Sequence, residues 1–282
     1  MSWLSGRTRV AGVWGHPVGH SRSPAMQNAA LEALGLDWVY VPFDVATQNV
    51  AEAVAAVRAL NLVGVNVTVP LKELVLPYLD VIDEEAARIG SVNTIHNVDG
   101  RLHGYSTDGA GFLRSLESAG QPTQGREVLI LGAGGSARAV AFALAGQGNR
   151  CRISNRSEER ASALANDVSR WHPGLASAVG WGADTGAFDL LINTTSLGMH
   201  PNEEAMPVLP PNPFAARPFV YDLIYAPPRT RLLEQAEAAG CLTLNGVKML
   251  ACQGALSLSL WTGLSLDEIP ISVMEQAIQD SL

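Results

Sequence analysis

The chain has 282 residues, of which 47% are hydrophobic, and it carries a formal net charge of -8 at pH 7. This length and apolar content predict a folded chain with a substantial core and exclude intrinsic disorder. The acidic balance argues against binding to a phosphate backbone, so we expect no nucleic-acid partner.

The sequence gives no indication of a membrane or metal protein. No apolar run approaches the roughly 20 residues that span a bilayer, and residues 1–9 lack the apolar core of a signal peptide. The three cysteines lie in apolar runs without metal-ligand spacing, as reduced core residues of a cytoplasmic protein do. We therefore expect a cytoplasmic protein without membrane association and without a metal.

The first part of the chain predicts alternating strands and helices. Strands are expected at 8–14, 38–43, 62–68, 92–97 and 102–106. Helices are expected at 48–60, at 70–78 and at 23–34, where Ser23 would be the N-cap and Pro24 the first helical residue. Another helix is expected to begin at Asp108 and to end near residue 119.

After a glycine-containing loop at 120–125 the alternation continues. Strands are expected at 127–131, from 150, and at 176–180, 189–193, 219–223 and 242–244. A helix is expected at 138–147, and two more at 247–263 and 271–282. This pattern predicts an α/β fold with mostly parallel sheets.

A glycine turn follows the predicted strand at 127–131. In a dinucleotide-binding βαβ unit, the first glycine turns the chain off the strand and the second lets the backbone approach a pyrophosphate. A small residue at the third position lets the helix pack close to the sheet. The helix N-terminus offers free N–H groups to the phosphates. We therefore predict a dinucleotide site, rather than an ordinary tight turn, at Gly132-Ala133-Gly134-Gly135-Ser136-Ala137.

The end of the second strand of this unit indicates which dinucleotide binds. An NAD site usually has an Asp or Glu there, which accepts from the ribose hydroxyls, and the missing carboxylate also disfavours FAD. Here the residues are Asn155 and Arg156, with Arg160 four residues further on. Guanidinium groups bind a 2′-phosphate with charge-assisted hydrogen bonds, so we predict NADP. The alternative is that both arginines only face solvent.

Several polar residues in the first part of the chain are not explained by packing. Ser21 lies in the loop after the first predicted strand, where α/β folds place ligands. Asn66 and Thr68 alternate with valines, so they share one face of a strand. Lys72 would fall in the first turn of the helix at 70–78, where a cation opposes the helix dipole and suits a proton-transfer role. Without the other polar residues nearby, Lys72 would be interpreted as a solvated surface lysine.

Three other polar residues have both a structural and a functional interpretation. Asp108 could be only an N-cap, and Asn93 only a turn residue at a strand end. Gln253 lies in an otherwise apolar helical stripe with Met249 and Leu256. Its amide therefore needs a buried partner or a ligand.

Spaced motifs along the whole chain carry a family resemblance. In chain order they are Gly19-His-Ser-Arg-Ser-Pro24, Asn66-Val-Thr-Val-Pro-Leu-Lys72, Ser91-Val-Asn-Thr94, Ser106-Thr-Asp-Gly109, Gly132-Ala-Gly-Gly135, Asn155-Arg-Ser157, and Asn245-Gly246 with Gln253. Together they resemble the shikimate dehydrogenase family. The resemblance implies NADP-dependent interconversion of 3-dehydroshikimate and shikimate, in the pathway to chorismate and the aromatic amino acids.

The resemblance also implies a role for individual residues. Lys72 and Asp108 would be the catalytic acid–base pair. The substrate would be bound by its carboxylate at Ser21 and Ser23, by its ring hydroxyls at Thr68, Asn93 and Gln253, and along the pocket by Tyr225. The cofactor would be bound by Gly132, Ala133, Gly134, Gly135, Ser136, Ala137, Asn155, Arg156, Arg160, Thr194, Thr195, Ser196, Ile224, Gly246 and Met249.

The implied architecture has two α/β domains. Residues 1–108 and 247–282 would form the substrate-binding catalytic domain, and residues 109–246 a Rossmann-type NADP-binding domain, so the C-terminal helices return to the first domain. We expect a monomer or homodimer. Ser106 stands where the family commonly has Asn, which leaves the preference between shikimate and quinate open. Leu71 stands where the family commonly has Phe. The alternatives are an enzyme for quinate or another cyclic hydroxy acid and, less favoured, a non-catalytic NADP-binding regulator.

Overall fold

A computed structural model describes residues 4–282, and the chain divides into two compact units. The first unit contains the chain up to Gly111 together with Leu250–Ser281, and the second contains Phe112–Met249. The segment after Met249 therefore completes the first unit. Each unit is built on its own six-stranded sheet.

The sheet of the first unit is mixed. Its strands are β1 Arg9–Gly15, β2 Trp38–Asp44, β3 Gly64–Val67, β4 Val81–Ile82, β5 Thr94–Val98 and β6 Arg101–Tyr105, in the order β2-β1-β3-β5-β6-β4. β1 is parallel to β2 and β3, whereas β5 is antiparallel to both β3 and β6. Asp99 and Gly100, both with positive φ, join β5 to β6, because a tight two-residue hairpin requires that backbone conformation.

The helices of the first half connect these strands. They are α1 Ser23–Ala33, α2 Val50–Ala59, α3 Glu84–Ile89 and α4 Asp108–Ser118. Asp83 caps α3 by accepting from the N–H of Glu85, and Gly90 ends it in the left-handed conformation. One core of this unit is formed by buried valines of β3 and α2 with Trp14, Leu71, Ile95 and Leu102.

The sheet of the second unit is entirely parallel. Its strands are β7 Glu127–Leu131, β8 Arg150–Ser154, β9 Ala176–Val179, β10 Leu190–Asn193, β11 Phe219–Asp222 and β12 Thr243–Leu244, in the order β12-β11-β10-β7-β8-β9. The connecting helices are α5 Gly135–Gly146, α6 Glu158–Trp171 and α7 Arg231–Ala238. β7, β10 and β11 are almost fully buried, as expected for a parallel sheet covered on both faces.

Two last helices, α8 Val247–Thr262 and α9 Ile271–Asp280, end the chain. Within the first unit α9 packs on α1, and Trp261 of α8 donates from Nε1 to the carbonyl of Ile95 at 3.0 Å. In the part of the chain that the structure describes, no helix is long and apolar enough to cross a membrane. The α/β fold class predicted from the sequence is confirmed.

Two expectations about local structure were wrong. No α-helix forms at 70–78, where turns lead into a short 3-10 helix at Leu76–Tyr78, because Pro77 has no N–H and its ring clashes with an α-helical turn. Ser23 is not an N-cap, because the first helical bond runs from Met26 N to the carbonyl of Arg22 at 3.2 Å. The first sheet is mostly parallel, as predicted, because β5 alone runs against the other five strands. Helices α3, α6 and α7 and strand β4 were not among the predicted elements.

Candidate active site

The predicted site residues of the first unit converge on one edge of its sheet. β1 and β3 are parallel, so their carboxyl ends, followed by Ser21 and Thr68, lie at the same edge. The antiparallel pairing of β5 with β3 brings the start of β5, preceded by Asn93, to that edge. The same argument places the end of β6, which leads into Asp108, beside it. The topology thus gathers polar residues that are far apart in sequence.

An ion pair between Lys72 and Asp108 lies at this edge. The lysine Nζ is 2.5 Å from Oδ2 of Asp108, and the two side chains are only 13% and 9% exposed. Lys72 is positioned by the buried Leu71 and by its own carbonyl, which accepts from the N–H of Val92 at 3.0 Å. Because the predicted helix at 70–78 does not form, the helix-dipole argument for Lys72 is wrong. Its partial burial beside a carboxylate is what distinguishes it from a surface lysine.

Asn93 connects this ion pair to α8. Its Nδ2 donates to Oδ1 of Asp108 at 2.8 Å and lies 3.2 Å from Oε1 of Gln253. Its Oδ1 accepts from the backbone N–H of Thr107 at 2.8 Å. Gln253 also donates from Nε2 to the carbonyl of Leu250 at 2.8 Å. Lys72, Asp108, Asn93 and Gln253 therefore form one bonded cluster, and the buried partner that Gln253 required is Asn93.

The other predicted substrate residues of this unit are not bonded to that cluster. Ser21 Oγ accepts from the backbone N–H of Ser23 at 3.3 Å. Across residues 4–282, the hydroxyls of Ser23 and Thr68 have no hydrogen-bond partner. Ser23 is buried in the first turn of α1 and Thr68 is half-buried just after β3. Two hydroxyls at this edge are therefore free to bind a polar ligand.

The glycine turn in the second unit has the predicted form. Gly132 has a φ of 115°, and a Cβ there would collide with Oγ1 of Thr194. Gly134 is the N-cap of α5, and a Cβ there would meet nothing within 4 Å, so the space above the helix N-terminus is open. Gly135 begins α5, with Ser136 next and Ala137 fully buried, while Ala133 is half-buried in the turn. This geometry suits a pyrophosphate.

A second loop lies against this turn. Thr194 donates from Oγ1 to the carbonyl of Leu131 at 2.7 Å, which ties the loop to β7. The Thr195 hydroxyl donates to Oδ1 of Asn193 at 2.7 Å, and Ser196 is exposed. Asn193 in turn donates from Nδ2 to Oδ1 of Asp222 at 3.0 Å. The orientation of this loop therefore depends on a buried carboxylate.

Asp222 is fully buried at the end of β11. Burial raises its pKa to about 6, although three hydrogen bonds favour the charged form. These come from Oγ1 of Thr230 at 2.7 Å, the backbone N–H of Ile224 at 3.1 Å, and Asn193. A single side chain thus holds the loops after β10 and β11 and the N-terminus of α7.

The strand-end residues that indicated NADP follow β8. Asn155 donates from Nδ2 to the carbonyl of Ser157 at 3.0 Å, and Ser157 caps α6 by accepting from the N–H of Arg160. Arg156 and Arg160 are exposed, and neither forms an ion pair within the described part of the chain. Both guanidinium groups are therefore available to a phosphate.

The remaining predicted residues lie in or next to the second unit's last strands. Ile224 is buried and Tyr225 half-buried after β11, and Met249 is buried in α8. Gly246 donates its N–H to the carbonyl of Ile224 at 3.0 Å, and a Cβ there would collide with the carbonyl of Leu223. Only glycine fits this close approach. The assignments of Tyr225 to the substrate and of the other three residues to the cofactor stay predictions.

Sequence reasoning missed the polar groups behind the cluster. These are Thr107, which bonds to Asn93 and Gln253, Thr94, whose Oγ1 lies 3.1 Å from Oδ1 of Asn93, and Ser257, which donates to the carbonyl of Gln253. The signal for Ser257 was its spacing, since it lies one helical turn after Gln253 on α8. Asp222 and Asn193 each end a buried strand, a common position for functional residues. Among residues 4–282, no group of three or more His, Cys, Asp or Glu side chains is arranged to hold a metal.

The second unit has a parallel sheet and a glycine turn that leads into the free N-terminus of α5. These features define it as a dinucleotide-binding fold. Comparison with known proteins identifies the family. A family model described as the shikimate dehydrogenase substrate-binding domain matches residues 13–95. The chain is 47% identical to a shikimate dehydrogenase (NADP(+)) from Moorella thermoacetica, over all of this chain and 96% of that protein. The chain belongs to the shikimate dehydrogenase family.

Solved structures agree with this assignment. The shikimate 5-dehydrogenase of Thermus thermophilus, crystallised with NADP(H) and shikimate, superposes with a TM-score of 0.89 at 42% identity, over 98% of this chain and 100% of that one. A ligand-free 5-ketofructose reductase of Gluconobacter sp. strain CHM43 also superposes with a TM-score of 0.89, at 35% identity, over 99% of this chain and 100% of that one. The fold is therefore shared by enzymes named for different substrates.

Proposed function

We propose that this chain catalyses the reversible, NADP-dependent reduction of 3-dehydroshikimate to shikimate. The observation that carries the proposal is the Lys72–Asp108 ion pair, mostly buried and bonded through Asn93 to Gln253. It stands in a chain that matches NADP-dependent shikimate dehydrogenases along its full length. A non-catalytic regulator would not need a buried ammonium–carboxylate pair.

The pair provides acid–base chemistry for a ring ketone and its alcohol. When bound, NADPH supplies the hydride. Negative charge develops on the ketone oxygen during reduction, and Lys72 is the group that donates or relays a proton to it. Asp108 holds the ammonium in place through Oδ2 while its Oδ1 accepts from Asn93. In the reverse direction Lys72 accepts the proton that the alcohol loses.

The polar groups around the pair fit a small polyhydroxylated acid. We assign the substrate carboxylate to Ser21 and Ser23, since the partial positive charge of the α1 N-terminus favours an anion there. Thr68, Asn93 and Gln253 are assigned to ring hydroxyls, because each has a side-chain hydroxyl or amide at the same edge. Tyr225 is assigned to the same substrate on the family resemblance alone.

We assign NADP to the second unit. The open space at Gly134 and the start of α5 fit the pyrophosphate, and the unpaired Arg156 and Arg160 fit the 2′-phosphate. Asn155 follows β8 at the position where a carboxylate would repel that phosphate. We expect the protein in the cytoplasm, as a monomer or homodimer with small-molecule ligands only, and its cysteines are free and buried in accordance with a reducing compartment.

One assay tests the proposal and its alternative. Initial rates are measured by the absorbance of the reduced cofactor. Oxidation of shikimate and of quinate is followed with NADP and with NAD, and reduction of 5-ketofructose is followed with NADPH. We expect the highest kcat/KM for shikimate with NADP. A higher value for quinate or 5-ketofructose would assign the site to that substrate, and no turnover with any of them would refute the enzymatic proposal.

A further inference from the structure

A buried polar network lies behind the cluster of Lys72, Asp108, Asn93 and Gln253. It consists of Tyr40, Asn66, Thr94 and Ser257, all of which are at most 6% exposed. None of them belongs to the site assigned above. Buried polar groups of this kind cost free energy unless every one is paired, so a fully paired network fixes the orientation of its members.

Ser257 is the point where the network meets α8. Its Oγ donates to the carbonyl of Gln253 at 3.0 Å and accepts from Nδ2 of Asn66 at 2.9 Å. The same oxygen lies 2.7 Å from Oγ1 of Thr94. One hydroxyl therefore links the turn of α8 that carries Gln253 to strands β3 and β5.

The hydrogen bonds of this network constrain the orientation of the Asn66 amide. Burial raises the pKa of Tyr40 well above its usual value, so its phenol keeps its proton and donates to Oδ1 of Asn66 at 2.7 Å. The amide of Asn66 must then present Nδ2 to Ser257 and to Oγ1 of Thr94, the latter at 3.1 Å. Because Ser257 gives its proton to the carbonyl of Gln253, the single proton of the Thr94 hydroxyl is shared between Oγ of Ser257 at 2.7 Å and Oδ1 of Asn93 at 3.1 Å.

The network ends on two amides to which we assign ring hydroxyls. Because Oδ1 of Asn93 accepts from the N–H of Thr107 at 2.8 Å and lies 3.1 Å from Oγ1 of Thr94, its Nδ2 must face Asp108 and Gln253. The hydrogen bond from Ser257 to the carbonyl of Gln253 fixes the position of this turn of α8 relative to the sheet. A flip of either amide would exchange a donor for an acceptor where the substrate binds.

We propose that Ser257 and Thr94 are positioning residues that set the donor–acceptor pattern presented by Asn93 and Gln253 to the substrate ring. This inference rests on the proposed function and extends the site by two hydroxyls that do not touch the ligand. Their loss would change recognition of the ring more than binding of the cofactor, because every bond of the network lies within the first unit.

The test uses substitutions that remove a hydroxyl and little else. Thr94→Val is close to isosteric and Thr94→Ser keeps the hydroxyl, while Ser257→Ala removes the hydroxyl on α8. Ser115→Ala is the matched control, since Ser115 is also fully buried and bonded, to Phe112 and Tyr221 in the second unit. The full-length enzyme is used throughout, with urea unfolding measured on every variant.

We expect Thr94→Val and Ser257→Ala each to raise KM for shikimate roughly three- to tenfold, the size of one lost hydrogen bond, with less than about a twofold change in KM for NADP. Thr94→Ser should restore the wild-type KM. The double variant should lose less than the product of the single effects, because the two hydroxyls share a bond. Ser115→Ala should lower stability without changing KM for shikimate.

Equal changes in both KM values, or a Thr94→Ser variant as impaired as Thr94→Val, would refute the positioning role. If the wild-type enzyme prefers another substrate of the assay panel, the proposed function fails and the same comparison is made on that substrate. The two failures are therefore distinguishable. If Ser257→Ala does not fold, the comparison of Thr94→Val with Thr94→Ser decides the proposal, since Thr94→Val nearly retains the volume of the side chain.

Discussion

At the scale of single residues, the strongest expectation concerns Lys72. Replacing it with Ala removes the only ammonium of the bonded cluster and should lower kcat by roughly 10²–10⁴, with a smaller change in KM for shikimate. Glu73→Gln is the control, because Glu73 is the exposed next residue in the same turn. Steady-state kinetics with shikimate and NADP measure both. Near-normal turnover of the Ala variant would show that another group transfers the proton.

Arg156 and Arg160 should discriminate between the cofactors. Charged hydrogen bonds are worth about 1.5–3 kcal/mol, so replacing both arginines with Ala should raise KM for NADP at least roughly tenfold and leave KM for NAD almost unchanged. Arg170→Ala provides the comparison, since Arg170 is exposed near the end of the same helix, α6. Equal effects on NADP and NAD would mean that neither guanidinium contacts the 2′-phosphate.

Asp222 should make stability depend on pH. Its pKa is about 6 in the folded protein against 3.8 as the ordinary value. A raised pKa contributes stability that is fully present below pH 3.8 and is lost as the pH rises through about 6. The free energy of unfolding should therefore fall by about 3 kcal/mol across that range because of this group. Urea unfolding at about pH 5 and about pH 7.5 covers the upper part of that range, where the expected fall is about 1.4 kcal/mol.

The contribution of Asp222 is isolated by comparison with two variants. Asp222→Asn should flatten the difference between the two pH values, and Asp184→Asn, at an exposed position of the same unit, should leave it as in the wild type. An unchanged pH dependence in Asp222→Asn would place the titration elsewhere.

At the scale of elements, close helix packing should be the most sensitive feature of the first unit. A Cβ on Gly111 of α4 would come within 2.7 Å of the backbone N of Gln253 in α8. Because backbone cannot move aside cheaply, Gly111→Ala should destabilise the protein by about 1–3 kcal/mol and also raise KM for shikimate. Ala110→Ser, one residue earlier and exposed, should do neither. Urea midpoints and steady-state kinetics provide the two measurements.

The elements also show which features a sequence can predict. Parallel strands such as β7 and β10 were found because burial on both faces makes them continuous apolar runs. The segment at 70–78 was predicted as a helix because Pro70 suits a helix start, but Pro77 prevents α-helical continuation. Helix α3 has only six residues, too few for a clear helical period.

The site was predictable where it depended on residue type and order. Lys72, Asp108, Asn93 and Gln253 were all named from the sequence, and the structure bonds them together. The network behind them was not, because Tyr40, Asn66 and Ser257 are separated by up to about two hundred residues and meet only in three dimensions. The N-cap at Ser23 failed for a different reason, since the helix begins one residue earlier than the proline implies.

At the scale of the whole molecule, the two units differ in how the chain builds them. The second unit is continuous over Phe112–Met249, whereas the first needs Leu250–Ser281 to be complete. Without that segment, Asn66 loses its bond to Ser257 and the carbonyl of Ile95 loses its bond to Trp261. A fragment of residues 1–111 would therefore leave buried polar groups unpaired and apolar surface of α1 uncovered.

We accordingly expect the fragment 112–249 to unfold cooperatively on heating and to be stabilised by NADP. At a concentration of one hundred times Kd the gain would be about 2.7 kcal/mol, and NAD at the same concentration should give less. The fragment 1–111 should not unfold cooperatively, whereas the same fragment joined to residues 250–282 by a flexible linker should. Circular dichroism melts of the three fragments, with and without each cofactor, provide the measurement. Cooperative folding of 1–111 alone would show that the returning segment is dispensable for the first unit, because the sheet could then form its core without α8 and α9.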